Sequence, residues 1–415
     1  MKVLLIGSGG REHALASALR KDPVVEELHC APGNPGIAEI ATLHSINTDD
    51  NSAVIALAQS LEIDLVVVGP EKPLVNGLAD ACITAQIPVF GPTKAAALLE
   101  GSKDFAKQVM KDAGVPTAQS FTCTTREEIE KALDSFGAPY VVKHDGLAAG
   151  KGVVVTSERS EALEHALLSP RVVIEEFLDG PEVSLFGISD GRTVIPMQPA
   201  QDFKRAYDGD LGLNTGGMGA YSPLPWAPST IVEETLEKVL QPTINEMAKR
   251  GTPFSGLLYA GLALTSKGLR VIEFNARFGD PETEVLLPRL KTPLAQLLYK
   301  AATGSLSGTS LDWSDKSAVT VVLASDGYPS SPVTGEPIMG ITPMESTAIY
   351  HAGTSLKDGV LHSSGGRVLT VTGLGANLQE ARERAYQVIS GISLRGSHYR
   401  SDIALNASRS SSTSQ

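Results

Sequence analysis

The hydrophobic and polar positions of the first hundred residues follow two alternating periods. Short apolar runs indicate strands, and the segments between them carry apolar residues at helical spacing. The predicted strands are 2–6, 25–30, 64–68 and 88–90, and the predicted helices are 11–21, 51–61 and 73–86. Elements that alternate in this way connect by right-handed crossovers and build a parallel sheet. The chain is therefore predicted to be of the α/β class, with a Rossmann-like, parallel-sheet domain over residues 1–101.

The pattern changes after a helix predicted at 102–113, which Gly114 and Pro116 end. Between 118 and 188, short apolar runs bracket two helical segments, which predicts a small α+β lobe. Its strands are predicted at 140–143, 152–156, 172–176 and 183–189, and its helices at 126–136 and 158–168. Longer helices are predicted at 230–249 and 283–303. We expect residues 102–317 to form one domain that includes this lobe.

The last two regions follow a polar stretch at 304–317. Residues 318–403 are rich in strand-like patterns and are predicted to form a β-rich C-terminal domain. The final segment, 404–415, reads ALNASRSSSTSQ. Small polar residues cannot bury enough apolar surface to offset the entropy of folding. This tail is therefore predicted to be disordered.

Composition narrows the class of partner. The chain has 415 residues, a net charge of −12 and 42% hydrophobic residues, which suits several packed domains. An acidic chain has no general basic field, so we expect no nucleic acid and no anionic membrane as partner. Its three cysteines are widely spaced, as in reducing compartments. Since we find no leader-like segment and no apolar stretch near the ~20 residues of a membrane span, a cytoplasmic location is expected.

The first strand runs into the glycine cluster GSGGRE, where a dinucleotide-binding domain carries its fingerprint. Gly7 and Gly9 fit that fingerprint, but Glu12 occupies the position of its third glycine. The second strand, ELHC, ends in APGNPG instead of the acidic residue that binds a ribose. A dinucleotide cofactor is therefore not expected. A small-phosphate site and a tight structural turn both stay open.

The small-phosphate interpretation names four residues. Gly9 and Gly10 would place free amides, and Arg11 a guanidinium, at the helix N-terminus. Glu71 follows the strand 64–68 in the segment GPEKPLV. Because the carboxyl ends of parallel strands meet at one sheet edge, we expect Glu71 near Arg11.

Two segments of the small lobe carry candidate nucleotide contacts. In VVKHDGLAAGKGV, Lys143 ends an apolar strand, and the glycine-rich loop with Lys151 could lie over phosphates. The spacing is not that of the P-loop, and a purely structural hairpin is the alternative. In EEFLDGPE, the backbone near Leu178 could face an adenine edge, and Glu182 could accept a ribose hydroxyl. An ordinary edge strand would explain the second segment equally well.

The segment RVIEFNARFGDPETEV combines an alternating strand with carboxylates. Glu273, Asn275 and Arg277 share one strand face. The opposite face is predicted to turn toward the core with Ile272, Phe274 and Ala276. Two oxygen ligands beside a guanidinium suit Mg²⁺ or Mn²⁺ bridging phosphates. Asp280 and Glu282 follow in the turn.

A polar, glycine-rich stretch at 201–223 is predicted to be a long loop. It contains Lys204, Arg205 and the segment NTGGMG, whose backbone amides can form a nest for an anion. A loop of this length inside a compact domain is usually functional. A mobile surface loop is the alternative.

These motifs, in this order, resemble the ATP-grasp superfamily, and within it the phosphoribosylamine–glycine ligase family. The resemblance covers essentially the whole chain and rests on GSGGREHA, APGNPG, GPEKPLV, GPTKAAALLEGSK, KHDGLAAGKG, EEFLDG, NTGGMGAYSP, EFNARFGDPE, HAGT and GGRVL. It implies an ATP-dependent carbon–nitrogen ligase of de novo purine biosynthesis. Such an enzyme joins glycine to 5-phosphoribosylamine through glycyl phosphate and releases ADP and phosphate. ATP would be the co-substrate and Mg²⁺ or Mn²⁺ the cofactor.

The resemblance also implies roles for individual residues, and a lid function for the lobe at 118–188. ATP would be bound by Lys103, Lys143, Gly150, Lys151, Glu175, Leu178 and Glu182. The other substrates would be bound by Gly9, Gly10, Arg11, Glu71, Asp202, Lys204, Gly217, Met218 and Asp280. The metal would be held by Glu273 and Asn275, and catalysis would depend on Arg277 and Lys143. His144 stands where the family usually has a small residue.

Two alternatives stay open at this point. One is another ATP-grasp carboxylate–amine ligase or carboxylase, which bicarbonate-dependent release of ADP would identify. The other is a nucleotide-binding regulatory protein without turnover, which loss of Lys143 or Glu273 would have favoured. We expect small molecules as partners, and a monomer or weak dimer.

Overall fold

The structure, a computed structural model, describes residues 1–147 and 152–410. The N-terminal strands are β1 (Lys2–Gly7), β2 (Glu27–Pro32), β3 (Thr42–Leu43), β4 (Leu65–Val68) and β5 (Val89–Phe90). The helices are α1 (Gly10–Lys21), α2 (Asn51–Ser60), α3 (Glu71–Val75), α4 (Leu78–Thr84) and α5 (Leu98–Gly101). The strands form one parallel sheet in the order β3-β2-β1-β4-β5, which confirms the predicted Rossmann-like sheet. The helix predicted at 73–86 is two helices, because Asn76 and Gly77 turn the chain between them.

A small lobe follows the helix α6 (Lys103–Ala113). Its elements are β6 (Ser120–Cys123), α7 (Arg126–Phe136), β7 (Tyr140–His144), β8 (Val153–Thr156), α8 (Arg159–Ala166) and β9 (Val172–Glu175). The strands pair antiparallel in the order β6-β9-β7-β8 and enclose a small apolar core of their own. The lobe predicted to reach residue 188 therefore ends after β9.

The strand predicted at 183–189 belongs to a different sheet, which has longer strands. This central sheet has the order β11-β10-β16-β17, with β10 (Glu182–Asp190), β11 (Val194–Pro196), β16 (Ser255–Thr265) and β17 (Gly268–Asn275). Strand β10 pairs along its whole length with β16, and both are almost entirely buried. Partners 70 or so residues away in sequence decided this assignment, and local periodicity does not reveal them.

The central region also contains α9 (Ile231–Thr235), α10 (Gln241–Lys249), α11 (Thr283–Leu286) and α12 (Leu294–Ala302). A π-helical turn, Leu236–Leu240, joins α9 to α10, so the helix predicted at 230–249 is nearly continuous. The helix predicted at 283–303 is broken, because Pro288 and Pro293 interrupt it between α11 and α12.

The polar stretch 201–223 is not one loop. It forms the short strands β12 (Gln201–Asp202), β13 (Arg205–Tyr207), β14 (Leu211–Asn214) and β15 (Gly219–Ser222). Strands β13 and β14 pair as a hairpin. Strands β12 and β15 pair with each other, and β15 pairs with the C-terminal strand β18 (Ser317–Ala324). The central and C-terminal regions thus share a sheet.

The remaining elements are β19 (Thr347–His351), β20 (Thr354–Lys357), β21 (Val360–Ser363), β22 (Arg367–Gly375), α13 (Leu378–Ile389) and α14 (Leu405–Ser410). The shared sheet has the order β12-β15-β18-β22-β19. Helix α14 contradicts the prediction of a disordered tail for residues 405–410. Ile403, Ala404 and Ala407 are buried in the largest apolar cluster of the described chain, and this burial holds the segment in place.

That cluster runs from α6 through the central sheet into the C-terminal sheet, with Val109, Leu258 and Val371 among its members. The domains therefore pack on one another through continuous apolar contact. Across the described ranges, no helix combines the length and the apolar character that a membrane crossing requires.

Candidate functional site

A deep cavity of about 1200 Å³ lies where the N-terminal sheet, the lobe, the central sheet and the C-terminal region meet. The predicted site residues that line it are Arg11, Glu71, Lys103, Lys143, Glu175, Leu178, Glu182, Asp202, Lys204, Glu273, Asn275, Arg277 and Asp280. The structure thus brings together residues from both ends of the sequence. Gly9, Gly10, Gly217 and Met218 do not line this cavity. Gly150 and Lys151 lie outside the described residues.

Strand β17 carries one wall of the cavity and contains a β-bulge. Gly261 of β16 lies opposite Glu273, and the next residue, Leu262, lies opposite Val271, so Ile272 is an extra residue. Ile272 lines the cavity and does not face the core, which corrects the prediction. Glu273 lines the same wall, because the bulge shifts the alternation of side chains.

The charges of three lysines act on the Glu273 carboxylate. Burial alone would raise the pKa of Glu273, but the charges of Lys204, Lys143 and Lys103 outweigh burial and hold the pKa below its usual range. Asn275 lines the cavity two residues further along the strand. A carboxylate that stays ionised and an amide oxygen are ligands that fit a hard divalent cation. In the part of the chain described, no group of three or more His, Cys, Asp or Glu side chains forms a complete metal cage.

Two lysines converge on the buried carboxylate of Glu175. Lys143 Nζ lies 2.9 Å from Glu175 Oε2, and Lys107 Nζ lies 3.1 Å from Glu175 Oε1. Lys143 also donates to the Ile272 carbonyl at 2.9 Å, so the bulge anchors this lysine. The Glu175 side chain therefore fixes two cations at the wall. Sequence reasoning missed Lys107, although it lies four residues after Lys103 on the same face of α6.

The lobe is connected to α6 through Asp145. Its Oδ1 accepts the amide of Lys103 at 2.6 Å and that of Asp104 at 3.3 Å, at the start of the helix. Lys103 Nζ donates to the Gly146 carbonyl at 3.0 Å. The predicted phosphate contact, Lys103, is therefore positioned by the loop that follows β7. Burial lowers the pKa of Lys103, and the negative charge of Glu273 opposes this decrease.

Arg277 connects β17 to the N-terminal region. Its Nη2 lies 3.1 Å from Glu100 Oε1, and its Nε lies 3.3 Å from Glu71 Oε2. Burial alone would raise the pKa of Glu71, but Arg277 and Arg11 lower it. Glu100 also accepts the Ala276 amide at 2.7 Å. Sequence reasoning missed Glu100, because nothing local in LLEGSK indicates an arginine 177 residues away.

The GSGGRE turn is occupied by a side chain of the protein itself. Glu12 Oε2 accepts the Gly9 amide at 2.6 Å, and Glu12 Oε1 accepts from Arg11 Nε at 2.6 Å. A Cβ on Gly7 would lie 2.5 Å from Glu12 Cγ, and one on Gly69 would lie 2.2 Å from Glu12 Oε1. These glycines make room for the Glu12 carboxylate. The Gly9 amide is therefore not free, which corrects one part of the predicted phosphate site.

The other predicted residues outside the cavity lie just behind its wall. Gly10 packs against Glu284, and Gly217 packs against Pro281. Met218 is fully buried. Asp280 does line the cavity, and its Oδ1 pairs with Arg367 Nη1 at 2.9 Å. Arg367, from GGRVL, lines the cavity as well and adds a cation that sequence reasoning did not assign.

A second polar group lies at the base of the β13–β14 hairpin. Lys204 Nζ forms an ion pair with Glu182 Oε2. Burial raises the pKa of Asp202 to about 7; Lys204 opposes this rise, and Glu282 and Glu182 add to it. Asp202 and Lys204 together offer one anionic and one cationic contact, which is the charge pattern that an amino acid would need.

His144 does not line the cavity. Its ring stacks on that of His165 in α8, with the centroids 4.1 Å apart and the planes at 13°. His144 Nε2 lies 2.9 Å from the His165 carbonyl oxygen. The side chain is therefore directed into the lobe and away from the predicted nucleotide site.

Comparison with known proteins matches most of the chain to one family. The phosphoribosylglycinamide synthetase family matches through its N domain at residues 1–100, its ATP-grasp (A) domain at 101–283 and its C domain at 318–406. A phosphoribosylamine–glycine ligase of Streptomyces coelicolor is 62% identical over 413 residues, which cover 98% of this chain and 99% of that relative.

Two solved structures are similar. Phosphoribosylamine–glycine ligase of Thermotoga maritima has a TM-score of 0.84 at 35% identity, covering 97% of this chain and 100% of that one. The biotin carboxylase domain of Hydrogenobacter thermophilus 2-oxoglutarate carboxylase, solved with MgADP and bicarbonate, has a TM-score of 0.72 at 15% identity. The match covers 96% of this chain and 91% of that one, and shows the fold alone.

The fold and the cavity together define an ATP-grasp enzyme. The predicted fold class is confirmed: a Rossmann-like N-terminal domain, an ATP-grasp module with a small lobe, and a β-rich C-terminal domain. The chain belongs to the phosphoribosylglycinamide synthetase family, as its motifs indicated.

Proposed function

We propose that the chain is the ATP-dependent ligase that joins glycine to 5-phosphoribosylamine and forms glycinamide ribonucleotide, ADP and phosphate, in de novo purine biosynthesis. The observation that carries the proposal is the ionised Glu273 carboxylate among three lysines in a cavity at the junction of the domains. This arrangement suits a nucleoside triphosphate. The relatives' names supply the identity of the two other substrates.

ATP would lie between the lobe and the central sheet. Lys103 and Lys143 would contact its phosphates, and the backbone of Glu175 and Leu178 would face its adenine, with Glu182 near the ribose. Phe177, Leu147 and Val155 expose apolar surface along the cavity and would cover the adenine ring. Glu273 and Asn275 would hold Mg²⁺ or Mn²⁺, which would supply positive charge to offset that of the phosphates.

The other substrates would occupy the remaining two sides of the cavity. Asp202 and Lys204 would bind the ammonium and carboxylate groups of glycine. Arg11 and Arg367 would attract the phosphate of 5-phosphoribosylamine, and Glu71 would accept hydrogen bonds from its sugar hydroxyls. In this arrangement Gly10 and Gly217 shape the wall from behind.

The protein's own residues would align the reactants and balance charge without a covalent nucleophile. The glycine carboxylate, held beside Lys204, would attack the γ-phosphate, break its bond to the β-phosphate oxygen, and form glycyl phosphate with ADP as the leaving group. Lys143 would stabilise the charge that develops on the transferred group. The amine of phosphoribosylamine would then displace phosphate. Arg277, fixed by Glu71 and Glu100, would hold the β17 wall of the cavity in place against the N-terminal region.

The proposal extends to domain limits, location and assembly. We propose an N-terminal domain at 1–101, an ATP-grasp domain at 102–317 with its lid lobe ending after β9, and a C-terminal domain from 318. We further propose a cytoplasmic enzyme that acts as a monomer or weak dimer.

The test is release of ADP with ATP, Mg²⁺, glycine and freshly generated phosphoribosylamine, with each component omitted in turn. The expected result is release that requires all four components. Release that depends on bicarbonate instead of glycine would indicate a carboxylase and contradict the proposal.

A further inference from the structure

Four consecutive residues at the tip of the β13–β14 hairpin contact the C-terminal segment 398–402. In chain order these contacts are Tyr207 with His398, Asp208 with Ser401, Gly209 with Asp402 and Asp210 with Arg400. The three polar contacts are each 2.8 Å long, and the two rings lie 5.4 Å apart. Such a series of contacts holds the hairpin tip at every residue.

Arg400 is at the centre of this contact and is almost fully buried, with 1% of its side chain exposed. Its Nε and Nη2 donate to the two carboxylate oxygens of Asp402, each at 2.7 Å. Its Nη1 donates to Asp210 at 2.8 Å and to the Arg205 carbonyl at 3.2 Å. The guanidinium carbon lies 4.9 Å from the centroid of the Phe203 ring. Arg400 thus touches both the base and the tip of the hairpin.

The base of the hairpin carries the polar pair that lines the cavity. Asp202 and Lys204 flank Phe203, the residue beneath Arg400. The Phe203 amide donates to the Gly219 carbonyl at 2.9 Å, and the Thr215 amide donates to the Lys204 carbonyl at 2.7 Å. A displacement of Phe203 would therefore move both neighbours relative to the rest of the cavity.

We infer that Arg400 is a positioning residue for the amino-acid substrate, acting through Phe203 and the hairpin on Asp202 and Lys204. The Asp210 side chain is largely exposed, and an ion pair with an exposed partner adds little net stability, so a fixed geometry is the better reason for this one. The inference rests on the proposed function, because it takes Asp202 and Lys204 as the groups that bind glycine.

The decisive experiment compares two arginines that hold the same C-terminal segment. Arg400→Gln removes the contact with the hairpin. The matched control, Arg382→Gln, removes an α13 side chain that donates to the Ser401 carbonyl and, at 3.0 Å, to the Ile403 carbonyl. We expect Arg400→Gln to raise the KM for glycine about tenfold, as for loss of a charge-assisted contact. The KM for ATP should change less than about twofold in both variants, and so should the control's KM for glycine.

A third variant covers the case in which Arg400→Gln does not fold. Asp210→Asn weakens the hairpin contact, while Arg400 keeps its bidentate pair with Asp402. We expect this variant to raise the KM for glycine about threefold. An unchanged KM for glycine in a folded Arg400→Gln protein or in Asp210→Asn would overturn the inference. An equal rise in Arg382→Gln would overturn it as well, because general loosening of the segment would then be the cause.

Hydrogen exchange separates this inference from the proposed function. If the wild-type protein releases no ADP with glycine and phosphoribosylamine, the proposed function fails. Exchange over residues 203–214 still reports on the hairpin, and it should become several-fold faster in Arg400→Gln or Asp210→Asn than in Arg382→Gln. Equal exchange in these variants would contradict the positioning role whatever the assay shows.

Discussion

At the scale of single residues, charge balance decides what each group in the cavity can do. Glu273 is ionised because three lysines outweigh its burial, whereas Asp202 keeps a raised pKa because two carboxylates add to burial. Two acidic side chains of one cavity are thus pushed in opposite directions. Glu273 is therefore ionised near neutral pH, whereas Asp202 can exchange a proton there.

The first prediction concerns Glu273. Glu273→Ala should lower kcat about a hundredfold or more, because it removes a principal charge-stabilising group from the cavity. Folding should survive, since the carboxylate lines the cavity and is not part of the apolar core. The measurement is steady-state ADP release beside circular dichroism. Glu237→Ala, exposed in the π-helical turn between α9 and α10, is the control. A Glu273→Ala enzyme with near-normal kcat would remove the basis for the metal site.

The second prediction uses the raised pKa of Asp202, about 7. If the carboxylate must be ionised to bind the glycine ammonium, kcat/KM for glycine should rise with pH. The ionised fraction increases about tenfold between pH 6 and pH 8 for such a group. Asp202→Asn should lose this limb of the profile and have a low kcat/KM at every pH. If the variant kept the wild-type pH dependence, another group would be titrating.

Sequence alone identifies site residues when their type and spacing carry the chemistry. Glu273 and Asn275 are recognisable because they alternate on one strand and precede further carboxylates. Glu100, Lys107 and Arg400 are not, since each acts through a partner distant in the chain. Glu100 reaches Arg277, and Arg400 reaches Asp210, only after the domains pack. No local pattern contains that information.

At the scale of elements, the lobe and the β13–β14 hairpin both contribute to the walls of the cavity. The lobe has its own apolar core, separate from the larger clusters of the described chain. The Asp145 cap and the Lys107–Glu175 ion pair both connect it to α6. Periodicity indicated β7, β8 and β9, but it did not indicate which sheet a strand joins. Strand β10 shows this: its apolar pattern is that of a buried strand, and only pairing with β16 places it outside the lobe.

The third prediction concerns the lobe. Strand β8 is only partly buried, and Val153 and Val155 line the cavity. Closure of the lobe over a nucleotide would bury this strand and its apolar neighbours. Hydrogen exchange over 153–156 should therefore become several-fold slower when a non-hydrolysable ATP analogue and Mg²⁺ are added. Strand β18, which is fully buried in the C-terminal sheet, should not change. Unchanged exchange at 153–156 under saturating analogue would contradict closure.

At the scale of the whole molecule, the N-terminal and C-terminal regions meet through two neutral histidines. The His351 amide donates to His13 Nδ1 at 2.8 Å, which requires that nitrogen to be unprotonated. Asn34 adds a bond from its Nδ2 to the His351 carbonyl at 2.8 Å. Burial and the neighbouring His351 lower the pKa of His13 to about 3, and burial lowers that of His351 to about 4.

The fourth prediction follows from these two histidines. Their pKa values are lower in the folded than in the unfolded protein, so their contribution is intact above about pH 6.5 and is lost as pH falls toward 4. At pH 5 the loss is on the order of 2 kcal/mol for each histidine. The thermal midpoint of wild type should fall steeply between pH 6.5 and pH 4.5. His13→Gln should have a shallower dependence, while His362→Gln, on the β20–β21 hairpin, should match wild type. Equal slopes in all three proteins would contradict the role of His13.

The Glu12 carboxylate, enclosed by Gly7, Gly9 and Gly69, has one further consequence. In dinucleotide-binding folds the amide of the second glycine faces a pyrophosphate; here that amide already has an anion that belongs to the chain. The protein thus carries a permanent internal substitute for the foreign phosphate at this turn. Glu12→Gly would complete the glycine pattern of the fingerprint. It would also leave Arg11 without its partner, and the acidic residue that binds the ribose would still be missing. Resemblance between two glycine patterns is therefore compatible with opposite uses: one turn is open to a cofactor, and the other is filled from within.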